Sequence, residues 1–154
     1  MRRFVPAVFI ASLLAVGGAS IQKANAEMSL YDRLGGQRAI EAVANGLVDR
    51  ILVDNRINQW FTHAAASKDN ANIYKAKLAI FICAGVGGPC KYTGPDMVAA
   101  HRGRAVTSEA FDAVAQDLVA QLDQLKVPEK EKGEVMAIIG SLKSSIVQSP
   151  ASPK

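Results

Sequence analysis

The residues with the most chemical capacity lie in one stretch, GGPCKYTGPDMVAAHRGR, residues 87–104. It holds His101, one of two histidines in the chain, and Cys90, one of two cysteines. A neutral imidazole can act as a general base or as a metal ligand. Met97 stands four residues before His101, so the two share a face if DMVAAH is helical. Taken alone, one histidine on a helix face is more often structural than a ligand. No histidine follows at i+3 or i+4, no HExxH occurs, and the acidic residues are scattered. A zinc or di-iron site therefore lacks a ligand set. There is no G-x-S-x-G elbow and no Gly-Lys-Ser/Thr phosphate loop, so hydrolase and nucleotide-binding functions lack their residues.

The elements that must position His101 read as helical almost throughout. Ser29 with Asp32 three residues on is a capping start. From Gln37, Ile40, Val43, Leu47 and Ile51 form an amphipathic stripe, which Asp54-Asn55 ends. Ile57, Trp60 and Phe61 suit a short turn of helix. Residues 62–72, THAAASKDNAN, show no pattern and read as a loop. Residues 73–86 regain periodicity through Tyr74, Leu78 and Phe81, and are apolar on more than one side, as in a helix buried between layers. Glycines and Pro89 stop it. Thr107 can cap a helix with the stripe Phe111, Val114, Leu118, Leu122, Leu125. Pro128 fits the first helical position of a last helix carrying Val135, Ile138, Ile139, Leu142 and Ile146. The expectation is an all-α domain of five or six helices.

The first 26 residues are laid out differently. Arg2 and Arg3 precede an apolar run from Phe4 to Val16, and Ala24-Asn25-Ala26 is a small-x-small site. This is the layout of a secretory signal peptide, with a run too short for a comfortable membrane span. The expected organisation is signal peptide 1–26, folded domain 27–147 and a frayed Pro/Ser-rich tail 148–154. Cleavage after Ala26 leaves no membrane attachment and places the protein in the periplasm or outside the cell. The leader carries three positive charges and no acid, so the formal charge of +4 falls to +1 without it. No basic stripe or lysine–aromatic interleaving remains to bind nucleic acid. Export favours a disulfide between Cys83 and Cys90. The pair is not CxxC, which removes a thioredoxin-type role, and no CxxCH offers covalent c-type haem attachment.

One chemistry needs a single protein ligand among helices. Haem iron has four nitrogens from its ring; an imidazole supplies a fifth bond and the sixth position stays open for a small gas. The protein must add an apolar slot, aromatics and cations for the propionates. Phe61, Tyr74, Leu78, Phe81, Met97, Phe111 and Val114 are of the first kinds, and Lys75, Lys77, Arg102 and Arg104 of the last.

Four segments then carry a resemblance: SLYDRLGG (29–36) with Ile40, DNRINQWF (54–61), GGPCKYTGPDMVAAHRGR (87–104), and Phe111. In this order and spacing the chain resembles the group I truncated haemoglobins over about residues 29–147. The resemblance implies a two-over-two helical sandwich around haem b (iron protoporphyrin IX) that binds oxygen, nitric oxide or carbon monoxide. It implies His101 as proximal iron ligand, Met97 and Phe61 against the ring, and Lys77 at a propionate; Arg104 is a second cation at the site. The departure from the family lies on the distal side. A tyrosine that hydrogen-bonds the gas in many members is replaced by Val48, after Leu47; a distal glutamine site falls at Leu78, with Tyr74 one turn earlier. Tyr74 is either a replacement donor or packing at the haem edge. His63 is either a solvated loop residue or a sixth iron ligand. Two functions follow. One is reversible gas binding or transport, extending to nitric oxide dioxygenation. The other is a haem redox protein, peroxidase-like or a bis-histidyl electron carrier with an unidentified redox partner.

Overall fold

The protein is described by a computed structural model over residues 28–148, so the expected signal peptide 1–26 and the end of the expected tail lie outside the described residues. Among the described residues, eight α-helices and one 3₁₀ turn follow in chain order. They are α1 (Leu30–Leu34), α2 (Gly36–Val53), the 3₁₀ turn (Asn58–Phe61), α3 (Thr62–Ala65), α4 (Lys68–Gly85), α5 (Met97–His101), α6 (Ser108–Gln124), α7 (Glu129–Ser141) and α8 (Lys143–Ile146). Helix α2 packs chiefly on α4 and next on α6, and α6 packs on α7, which gives the two-over-two sandwich. No helix among the described residues is long and apolar enough to cross a membrane.

The α2 stripe is buried as its spacing requires: Ile40, Val43, Leu47 and Ile51 meet Ala79 and Ile82 of α4 and Leu118 and Leu122 of α6 in one core. Four departures from the sequence reading have identifiable causes. The expected loop 62–72 contains α3 and the first turns of α4. Ser67 caps α4 by accepting the Asn70 N–H at 3.1 Å, and Asp69 stands in the first turn. KDNAN has no apolar face, so periodicity could not show this start. Pro128 is the N-cap of α7, with ψ 150°, not its first helical residue. The last stripe is interrupted at Leu142, which separates α7 from α8, and short elements raise the helix number above five or six.

The fourth departure is in the α6 stripe. Leu125 is 38% exposed while Gln121 is only 4% exposed. Gln121 fills the space over Gly46 of α2, where a Cβ would stand 2.1 Å from its Nε2. Its amide donates to the Ala42 carbonyl at 3.2 Å and accepts from Arg50 Nε at 3.2 Å, so the buried polar group is partnered. Asp117, one turn earlier, has a buried Oδ2 with no hydrogen bond. Burial pushes its carboxyl above the ordinary range, Asp54 adding to this and Arg56 and Arg50 opposing it.

The cysteines are joined. Cys83, fully buried near the end of α4, is bonded to Cys90 with Cα atoms 5.8 Å apart. Closing so short a loop stabilises by roughly 2–3 kcal/mol in the chain-entropy account. The same corner is pinned by backbone: the Tyr31 N–H donates to the Val86 carbonyl at 2.9 Å and the Gly88 N–H to the Cys83 carbonyl at 2.8 Å. Gly87 adopts φ +80°, which glycine tolerates. This corner joins the end of α4 to the loop that leads to α5.

Candidate cofactor site

Helix α5 is one turn long, too short to be stable alone. Asp96 starts it by accepting the Ala99 N–H at 2.8 Å. Before it, Tyr92 donates its hydroxyl to the Pro95 carbonyl at 3.0 Å and sets its ring edge-on to Phe81 of α4, centroids 5.2 Å apart. Thus the loop is tied to α4 through one aromatic pair.

His101 ends α5, half-buried, with Nδ1 2.8 Å from the Met97 carbonyl oxygen. A carbonyl can only accept, so Nδ1 carries the proton in this contact. In the neutral ring Nε2 then holds the free lone pair. That is how a histidine is prepared to bind a metal: one nitrogen fixed to the backbone, the other presented. Met97 therefore orients the His101 ring through its carbonyl.

On α4, Tyr74, Leu78 and Phe81 are all half-buried. Phe61 meets Tyr74 edge-on at 5.8 Å. Burial pushes the Tyr74 hydroxyl above its ordinary value, with Arg104 opposing and Tyr92 adding. The phenol is therefore a neutral donor throughout the physiological range. Behind this face Val48 is fully buried and Leu47 nearly so, and neither offers a donor.

The remaining candidates are placed as follows. Lys77 and Arg104 are exposed, and Arg104 Nε donates to the Ala100 carbonyl at 2.9 Å. Lys75 is paired with Asp49 of α2 at 2.6 Å. Val114 is partly buried against the core. Phe111 is buried, with the Lys143 ammonium 5.5 Å from its ring centroid. His63 is exposed on α3, and its backbone carbonyl accepts from the Asn70 side chain at 2.9 Å. Trp60 and Gln148 were not expected to hold the loop after His101. Trp60 reaches the loop after His101 by a bond 44 residues long in sequence, a separation that no local pattern reports.

Comparison with known proteins decides the family. Residues 29–148 match the bacterial-like globin family. The group 1 truncated hemoglobin GlbN of Mycolicibacterium paratuberculosis is 35% identical over 123 residues, covering 80% of this chain and 87% of that one. Its Synechocystis counterpart is 36% identical over 117 residues, covering 73% and 90%. The chain belongs to the group 1 truncated haemoglobins. Solved structures agree with this truncated haemoglobin's fold. The 2/2 hemoglobin of Synechococcus, in the cyanomet state and with covalently attached heme, has 29% identity and a TM-score of 0.69 over 78% of this chain and 98% of that one. The Fe(III) truncated hemoglobin of Tetrahymena pyriformis has 25% identity and a TM-score of 0.71 over 79% and 100%. Haem is the cofactor of this globin, which is a haem-based gas-binding protein. The residues present fit the group. They offer an imidazole with its lone pair freed by a backbone hydrogen bond, half-buried aromatic and aliphatic side chains on the 3₁₀ turn and α4, and exposed cations.

Proposed function

We propose that His101 Nε2 is the proximal ligand of a non-covalently held haem b, and that the opposite side stays free for a diatomic gas: oxygen, nitric oxide or carbon monoxide. The observation that carries this is the 2.8 Å contact from His101 Nδ1 to the Met97 carbonyl, which fixes the tautomer and the ring. Bound haem supplies an iron able to take up a small gas. The chain's residues do the rest. Phe61, Leu78, Phe81 and Met97 give an apolar slot that excludes water, and Phe111 and Val114 line it from α6. Lys77 and Arg104 complement the propionate charge.

Tyr74 is the distal hydrogen-bond donor in this reading. Val48 and Leu47 cannot donate, and burial keeps the Tyr74 phenol protonated. Oxygen, which gains polarity on binding, depends on such a donor more than carbon monoxide does. Tyr74→Phe should therefore speed oxygen release about 3- to 10-fold, the range for one hydrogen bond, and leave carbon monoxide release within about twofold. Stopped-flow displacement measures both. Equal oxygen release in parent and variant would make Tyr74 a packing residue only.

The protein is proposed to be exported. The leader's layout and the Cys83–Cys90 bond both support an oxidising compartment. Amino-terminal sequencing of the protein from the periplasm or medium of an exporting bacterial host should begin at Glu27. A chain that starts at Met1 and stays in the cytosol would contradict export.

A further inference from the structure

We propose that Trp60 and Gln148 are positioning residues that set the seat of His101 from outside the cofactor site. The inference rests on His101 being the proximal ligand. Helix α5 is a single turn, so its orientation must come from what its ends are tied to. The chain leaving His101 runs through Arg102–Val106. Two residues there have positive φ, Gly103 at 74° and Ala105 at 50°. Alanine is strained in that region and stays there only where its surroundings over-determine it.

The surroundings are three bonds from distant parts of the chain, one to each of three successive residues. The Trp60 Nε1–H donates to the Arg104 carbonyl at 2.9 Å. The Ala105 N–H donates to Gln148 Oε1 at 3.0 Å. The Gln148 N–H donates to the Val106 carbonyl at 3.0 Å. A local bond, from the Arg104 N–H to the His101 carbonyl at 3.1 Å, joins this clamp to the histidine itself. Trp60 is followed directly by Phe61, whose ring abuts Tyr74. One dipeptide thus touches the distal helix with one side chain and holds the proximal loop with the other. Gln148 closes the loop from the far end of the chain with both its backbone and its side chain.

The test uses the haem-loaded protein. Trp60→Phe keeps an aromatic ring and deletes only the donor; Gln148→Met keeps length and deletes the acceptor. Each should speed haem transfer to an excess apoglobin acceptor about 3- to 10-fold, the range for one lost hydrogen bond. Each should also shift the iron–histidine stretching band in the ferrous resonance Raman spectrum, which a purely structural role would leave in place. Haem loss within twofold of the parent, or an unmoved band, in both variants overturns the proposal. If Trp60→Phe does not fold, Gln148→Met decides alone. Failure of the underlying reading looks different: His101→Ala would retain the parent band.

Discussion

His101→Ala should lose haem at least about 100-fold more readily than the parent, because removing even a group that orients a metal ligand costs 10- to 100-fold and this change removes the ligand itself. Met97, one turn earlier, has its carbonyl facing the His101 ring, and the loop beyond is fixed by Trp60 and Gln148. The fold should survive. His101 is half-buried at the end of a one-turn helix and lies outside the buried core built from α2, α4, α6 and α7. Far-ultraviolet circular dichroism of the apoproteins should therefore coincide while the Soret band disappears. His101→Gly provides the complementary case, since free imidazole should restore the band by occupying the vacated space. An intact Soret band in His101→Ala at parent haem affinity would refute the assignment.

Gly88→Ala should destabilise the fold by about 2–3 kcal/mol. A Cβ there would stand 2.5 Å from Tyr31 Cδ2, 2.7 Å from Cys83 Sγ and 2.8 Å from the Cys83 carbonyl. None of these can retreat easily. The sulfur is bonded to Cys90, the carbonyl accepts the Gly88 N–H, and the Tyr31 backbone is bonded to Val86. For a domain of this size the thermal midpoint should fall by about 8–12 °C. Gly133→Ala is the matched control. It lies inside α7, nothing comes within 4 Å of its added Cβ, and helix propensity predicts a gain of up to about 1 kcal/mol. Scanning calorimetry of both variants separates the accounts: equal midpoints would mean that the Cys83–Cys90 corner yields to a methyl group.

Much of the architecture was legible because the residues that carry it act locally. The α2 stripe, the Ser29 and Thr107 starts, and the glycine turn before α5 each state their role within a few residues. The Cys83–Cys90 pairing was legible for another reason: two cysteines a short separation apart, behind a stretch laid out like a signal peptide, leave one bridge to make. The parts that were not legible depend on distant partners. Gln121 breaks the α6 stripe because Gly46 of another helix leaves it room. The start of α4 was hidden because its first turn is polar on all sides and only Ser67 marks it. The single histidine of the 87–104 stretch gained meaning from the resemblance and then from its Nδ1 contact. The bonds that hold its loop, from Trp60 and Gln148, join residues more than forty positions apart.

The absorption spectrum of the purified ferrous protein, with and without carbon monoxide, tests the central claim most directly. The account predicts a five-coordinate, high-spin haem held by His101, converting to a six-coordinate form when carbon monoxide is added. A six-coordinate, low-spin spectrum that collapses to high spin in His63→Ala would place a second histidine on the iron and favour electron transfer. A chain that binds no haem after reconstitution would contradict the account altogether.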